Sequence, residues 1–591
     1  MWFYKCVVCC EYRIEYRSFA PAEKALSEVF THRATDKITE FTQKFIEMKR
    51  TLDTGITINT AIVLKRTLEK VDSIGSSSSA LVFFTSLTFE YPEKEQTLSK
   101  LRPASMKQYA RQGCLPGTRV DVVDFVTAWV AHPSKDQNIL WLHGLAGSGK
   151  STLSTTVANL FRQTNRLGAF MFFNRNVSEQ NNPGLVIQTL AYLLASYDDR
   201  IGDAISTVIK ENTTISDDDI YLQFKKLLLE PLSSLEDLQL EGPIVVVLDA
   251  LDECGKPDER KPLLKILVKE FPRLPSFLRV IVTSRPDSDI SCQLESGGHV
   301  LPYPLDTASE VTRKDIELFF RYRLAEVRTQ NPSLFLPVEW PGEQRIQALA
   351  ERASGLFIWA STACNYIDAH DPEERLVTLL GADMGLDATS ALDTLYTTAL
   401  QYAGQSTDLA FGADFGVIMG TLLVLRNPLS LSVIIELLKA VDKAPRLRHT
   451  IDKLGSVLYD NGIIRILHPS FADFLSRRDR CTCDAWFIDT TLHNIRVTRN
   501  CLDRLDFLKE NVCNLTLSRR AQASLPEHIA YACIFWVEHV CLIEDTSFIA
   551  DMLSAFLFKH LLHWFEAMSI LKRSKDTKEM MRRLRDWHAV C

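Results

Sequence analysis

Between residues 138 and 310, short and nearly unbroken apolar runs alternate with amphipathic stretches. The runs are Ile139–Leu142, Ala169–Phe173, Ile244–Asp249, Leu278–Ser284 and His299–Leu301. An apolar run without polar alternation predicts a strand covered on both faces. Strands separated by helical stretches predict a parallel α/β sheet. Upstream, Ala34, Ile38, Phe41, Phe45 and Met48 step by four and three, and Ile62, Leu64, Leu68 and Val71 form a second stripe. Residues 21–72 therefore predict amphipathic helices, broken by Gly75-Ser-Ser-Ser-Ser79. Cys114-Leu-Pro-Gly-Thr-Arg119 predicts a turn that opens a helix through Val130. Beyond about residue 310 the pattern is helical, apart from short apolar runs near Val457 and over Ile463–Leu467. Tyr531, Ile534, Phe535, Val537 and Val540, with Leu557, Leu561 and Trp564, recur at helical spacing and predict a core. No fixed period recurs, so a propeller or solenoid array is not expected within the chain.

Composition narrows this picture little. A chain of 591 residues with 46% hydrophobic and 24% charged residues is an ordinary multidomain globular protein. Its net charge of -7 argues against a nucleic-acid partner. The fourteen cysteines are scattered, and Cys6, Cys9 and Cys10 lack the second pair that a tetrahedral zinc site needs. Reduced thiols and a cytoplasmic address are the expectation. His560 and His563 stand three apart without an accompanying carboxylate motif, so a metal is not expected there. The apolar first ten residues are too short to span a bilayer, and no other stretch reaches the necessary length.

The chemistry concentrates in the α/β region. Gly144, Leu145, Ala146, Gly147, Ser148, Gly149, Lys150 and Ser151 match G-x-x-x-x-G-K-[ST] in full, between the strand Ile139–Leu142 and a helix expected from Ser151. Glycines let backbone N–H groups turn inward around phosphate oxygens, and the helix N-terminus adds positive potential. Lys150 is expected to reach the β- and γ-phosphates, Ser151 to bind Mg²⁺, and Thr152 to touch the α-phosphate. A hundred residues on, Ile244-Val-Val-Val-Leu-Asp249 delivers a carboxylate to a strand tip, where open α/β sheets bind ligands. Asp249 is the second metal candidate. Asp252 and Glu253 follow, and either would orient or deprotonate an attacking water. The strand ending Thr283-Ser-Arg285 puts Arg285 beside the phosphates if it lies between the strands ending at Leu142 and Asp249. A solvated loop or surface arginine is the plainer alternative for these last three residues.

With these motifs assembled, the chain resembles the NACHT-type signal-transduction P-loop NTPases, the group that includes NOD-like receptors, and is most similar to those of mushroom-forming fungi. Leu115-Pro-Gly-Thr-Arg119, Trp141–Thr152, Phe172-Phe-Asn-Arg175, Val247–Cys254, Thr283-Ser-Arg-Pro286, Gly355–Ser361 and Leu467–Leu475 carry the likeness. Ala250, directly after the metal Asp and two residues before Asp252, is a hallmark of the group. Where many relatives have Gly-Leu-Pro, this chain has Gly355-Leu-Phe. The resemblance implies a five-stranded ASCE-type sheet of order 5-1-4-3-2 over residues 138–310, reached through a linker and helix over 101–137. It further implies a helical domain over 311–400, a winged-helix domain over 401–490 and a helical region over 491–591, with residues 1–100 as a helical segment and possible effector. Sensor repeats usually follow that last region in relatives. His468, in His468-Pro-Ser-Phe471-Ala-Asp-Phe474, falls where relatives carry a histidine that contacts the β-phosphate of ADP. Taken alone, His468 reads as a packed or capping residue. The function implied is a weak, Mg²⁺-dependent NTPase, binding ATP/ADP or GTP/GDP, that switches from closed to open, homo-oligomerises and signals to other proteins. Innate immunity, non-self recognition or programmed cell death are the settings implied, and a non-hydrolysing scaffold is the alternative.

Overall fold

The computed structural model describes residues 94–106, 111–132, 137–332, 335–368, 371–381, 387–404, 408–509 and 525–590. Two compact units divide the chain, Met1–Lys100 and Leu101–Cys591. Of the first, residues 94–98 are helical. The expected stripes within 21–72, the break at Gly75 and the three early cysteines lie outside the described residues.

The second unit opens with helix α1 (Val120–Ala131), then strand β1 (Ile139–His143) and helix α2 (Lys150–Gln163). Strand β2 (Leu167–Phe172) leads to helices α3 (Val186–Tyr197) and α4 (Asp199–Glu211). Strand β3 (Ile244–Asp249), helix α5 (Pro257–Lys269), strand β4 (Leu278–Ser284) and strand β5 (Val300–Pro304) complete the sheet. All four strand pairings are parallel, in the order β2-β3-β4-β1-β5, so β4 lies between β1 and β3. This is the expected order 5-1-4-3-2 read from the opposite edge. Every residue of β3 and β4 is buried, as their unbroken apolar runs predict. Val122 and Val126 of α1 and Leu153 and Val157 of α2 pack on Leu140, Leu142, Val247 and Ile281 of the sheet.

Two strands differ from expectation. β2 begins at Leu167 and ends at Phe172, because Gly168 carries a register shift against β3 and so hides the strand's start in the sequence. β5 runs over Val300–Pro304 rather than His299–Leu301. Read as sequence, Pro302 and Pro304 end the apolar run, yet an outer strand tolerates proline. At the motif end, β1 gains His143 and α2 starts one residue early, at Lys150.

From here the unit is helical: α6 (Glu310–Gln330), α7 (Glu343–Arg352), α8 (Phe357–Ile367), α9 (Ala388–Ala403), α10 (Leu409–Val424), α11 (Leu431–Leu437) and α12 (Ala444–Lys453). The two late apolar runs form an antiparallel hairpin, β6 (Leu458–Asp460) with β7 (Ile464–Ile466), followed by α13 (Pro469–Ser476). Helices α14 (Thr490–Leu505), α15 (Glu527–Val540), α16 (Ala550–Ile570) and α17 (Asp576–Val590) close the described chain. Their core joins that of α6–α13, with Tyr396, Phe415, Trp486, Trp536 and Trp564 fully enclosed. Among the described residues no helix is long and apolar enough to cross a membrane.

Candidate nucleotide site

β1 ends at His143, and the chain turns through Gly144–Gly149 into α2. Gly147 and Gly149 adopt φ of 80° and 92°, a region that side chains disfavour. Their N–H groups donate to no acceptor among the described residues, and the first turn of α2 adds further free donors by its geometry. The loop has the form that a phosphate cradle requires. Lys150 closes it: Nζ donates to the carbonyls of Gly144 and Leu145, both at 2.8 Å. Burial pulls its pKa down to about 8, which leaves a cation at neutral pH. The Ser148 hydroxyl is buried in the loop without a partner.

The cradle is held from two sides. Arg119, itself buried at φ 57°, donates from Nη2 to Ser148 O at 2.8 Å and from Nη1 to Thr312 on α6 at 3.0 Å, and its N–H meets Asp315 at 2.9 Å. On the other side, Ile358 N–H of α8 donates to Gly147 O at 3.1 Å, and the Phe357 ring lies where a Cβ on Gly149 would touch it at 3.6 Å. A Cβ on Gly147 would overlap the Ile358 side chain. Gly147→Ala combines that overlap with a strained φ, so we expect a loss of about 2–4 kcal/mol of stability, read from the denaturant midpoint. An unchanged midpoint would mean that α8 yields freely.

Since β4 separates β1 from β3, the tips of all three converge on the cradle. Asp249 is fully buried, its Oδ1 accepting from the Thr283 hydroxyl at 2.6 Å and its Oδ2 paired with Arg111 at 2.5 Å. Ala250 sits at φ 60° and donates its N–H to Thr283 Oγ1 at 2.9 Å, a conformation that costs a small side chain least. Asp252 is committed to Arg285, accepting from its N–H at 3.0 Å and pairing with its Nε at 3.2 Å. Among the described residues the Glu253 carboxylate has a single weak partner, the Arg175 N–H at 3.3 Å, and burial raises its pKa to about 7. The Asp249 carboxylate and the Ser151 hydroxyl would supply oxygen donors of the kind that Mg²⁺ prefers. Among the described residues no group of three or more His, Cys, Asp or Glu stands together as a protein-only metal site. Phosphate oxygens and water would therefore complete the shell.

The helical half adds two side chains. His468 caps α13: its Nδ1 accepts from Ser470 N–H at 3.1 Å and bonds Ser470 Oγ at 2.7 Å, and Tyr396 holds that hydroxyl at 2.8 Å. An Nδ1 that accepts a backbone N–H fixes the proton on Nε2, so Nε2–H is a donor. Burial, then the charges of Arg285 and Lys150, hold the His468 pKa down to about 3. The histidine is neutral and within electrostatic reach of the cradle. Asp473, one turn on, receives Arg175 at 2.7 Å and Arg285 at 2.6 Å. Burial alone would raise its pKa, and the two guanidinium groups outweigh that and hold it below the usual carboxylate value. Both Arg175 and Asp473 stand inside quoted motifs, yet nothing in the sequence pairs them across 298 positions.

The chain is similar to several known proteins. The family model described as "Nephrocystin 3, N-terminal" matches residues 123–285. The vegetative incompatibility protein HET-E-1 of Podospora anserina is 23% identical over 80% of this chain. The chain spans 36% of that protein's length. Among solved structures, Cdc6p from Pyrobaculum aerophilum has 12% identity, covering 68% of this chain and 97% of its own, with a TM-score of 0.29. Drosophila ORC bound to poly(dA/dT) DNA and Cdc6 has 11% identity, covering 84% of this chain and 71% of its own, with a TM-score of 0.22. The core is thus a parallel α/β sheet with a P-loop between β1 and α2, similar in sequence to the Nephrocystin 3 N-terminal model over residues 123–285 and to a fungal vegetative incompatibility protein.

Proposed function

We propose that the chain is a nucleotide-dependent signalling switch of the NACHT type, acting in non-self recognition or programmed cell death. A nucleoside diphosphate, ADP or GDP, holds the closed state, and exchange for the triphosphate opens it. The observation that carries this reading is the Asp473 carboxylate, which is seated between Arg175 and Arg285 at the strand tips. A γ-phosphate, tetrahedral and more highly charged, would likewise offer anionic oxygens to the same two arginines. Triphosphate and Asp473 therefore compete, and the segment bearing Asp473, read as a winged helix over 401–490, is the part displaced. Its release exposes the surfaces for homo-oligomer formation and for contact with other signalling proteins. In the closed state His468 donates from Nε2 to the β-phosphate. In hydrolysis, Lys150 and Arg285 stabilise charge on the phosphoryl oxygens and Glu253 orients the water. Mg²⁺, held by Ser151 and Asp249, would neutralise charge on the transferred group.

The test is ADP release. Asp473→Asn keeps the shape and removes the charge, so ADP should dissociate about tenfold faster, within the usual coupling range. His468→Leu should weaken ADP more than ATP. Light scattering should show oligomers for both variants under conditions where the parent is monomeric. A folded Asp473→Asn protein with parental ADP release would reduce the clamp to packing.

A further inference from the structure

The Arg111–Asp249 pair is left over from this scheme. Arg111 belongs neither to the cradle nor to a strand tip, and lies on the segment that enters the core before α1. Cys114 N–H is tied to Thr156 Oγ1 of α2 at 2.7 Å, and Gly113 lies so close that a Cβ there would meet the same hydroxyl at 3.0 Å. The segment is thus pinned against α2 three residues away, with Arg111 reaching across to the tip of β3. Its guanidinium lies 4.1 Å over the Phe172 ring, at the end of β2, and donates to Asp249 Oδ2 at 2.5 Å. With Oδ1 already taken by Thr283, both carboxylate oxygens are engaged.

A fully buried carboxylate must be compensated, and here an internal cation does it. The oxygen that Arg111 occupies is one of the two that a divalent cation would use. The guanidinium has a platform, the Phe172 face, that orients it without Asp249. Its side chain keeps a quarter of its surface in contact with solvent, which leaves it a way out.

We propose that Arg111 is the resident counter-ion of the metal-binding carboxylate. It neutralises Asp249 whenever no divalent cation is present. The site consequently retains a nucleoside diphosphate without metal, whereas a metal–triphosphate complex enters only when Arg111 leaves Asp249. This rests on the assignment of Asp249 as a metal ligand, and it adds a specificity residue: Arg111 sets the site's preference for metal-free diphosphate over metal–triphosphate.

The experiment is Mn²⁺ titration of the full chain with saturating ADP, followed by electron paramagnetic resonance, with the ADP affinity in EDTA measured alongside. Arg111→Gln should bind Mn²⁺ roughly tenfold or more tightly than the parent, since the competitor for the carboxylate is gone. It should also bind ADP more weakly in EDTA, where Asp249 is left uncompensated. Arg111→Lys keeps a cation without the planar fork and should fall between the two. Phe172→Leu removes the platform and should move Mn²⁺ affinity in the same direction, less far. Should Arg111→Gln not fold, the last two variants carry the test. Unchanged or weaker Mn²⁺ binding in the Arg111 variants, with Asp249→Asn abolishing it, overturns the proposal and leaves Asp249 as a metal ligand. Unchanged Mn²⁺ binding in Asp249→Asn overturns the metal assignment itself, and this inference with it.

Discussion

Lys150→Ala is expected to weaken ATP binding roughly a hundredfold or more, on the order of 3 kcal/mol. Two losses combine. The side chain brings a full positive charge into the cradle, and burial lowers its pKa only to about 8, so the charge persists at neutral pH. Its ammonium also ties together the carbonyls of Gly144 and Leu145 and so shapes the loop before any phosphate arrives. Isothermal titration with ATP reads the sum. Thermal melts of both proteins separate the two losses, because the loop clasp contributes to stability without nucleotide and the phosphate contact does not. Equal ATP affinities would sink the assignment of the site.

Glu253→Gln is expected to lower NTP turnover roughly 10²-fold while Asp252→Asn costs much less. Both of Asp252's oxygens serve Arg285, whereas among the described residues the Glu253 carboxylate has only the 3.3 Å contact from Arg175 N–H. The groups around Glu253 pull in opposite directions. Burial raises its pKa most, the Arg175 and Arg285 charges lower it and Asp252 raises it, with a net value of about 7. A base must be deprotonated to accept a proton. Turnover in the parent should therefore rise with pH through the window around 7, below the pH near 8 at which Lys150 begins to lose its charge. In Glu253→Gln the remaining rate should be flat over the same window. If neither carboxylate variant alters turnover, the nucleotide is a structural ligand and the scaffold reading takes over.

The parts of the site legible in the sequence are those written in consecutive residues. The cradle, β3 ending in Asp249 and the Thr283-Ser-Arg285 tip are each encoded within about ten positions, and the backbone dictates where such side chains point. The position of β4 between β1 and β3 was a condition of the Arg285 expectation, and the sheet meets it. Contacts between distant segments left no such signature. Arg111 reaches Asp249 across 138 positions and Arg119 reaches Asp315 across 196. An isolated arginine in a polar stretch looks the same whether it meets solvent or a buried carboxylate. His468 belongs to both readings at once, since it caps its own helix through Nδ1 and leaves Nε2–H for a ligand. The strand ends were misplaced where Gly168 and Pro302 interrupt the apolar pattern without interrupting the ladder.

Those prolines have a consequence for assembly. Leu305 N–H donates to His143 O at 2.7 Å, so in β5 the odd-numbered N–H groups turn toward β1 and the even-numbered ones toward the open side. The open side falls on Pro302 and Pro304, neither of which has an N–H. That border of the sheet offers carbonyls but, at these two positions, no donors. A neighbouring backbone cannot zip onto it, and so the border resists the edge-to-edge growth that ends in aggregates. When copies of this core gather, the sheet of one cannot continue through β5 into the sheet of the next.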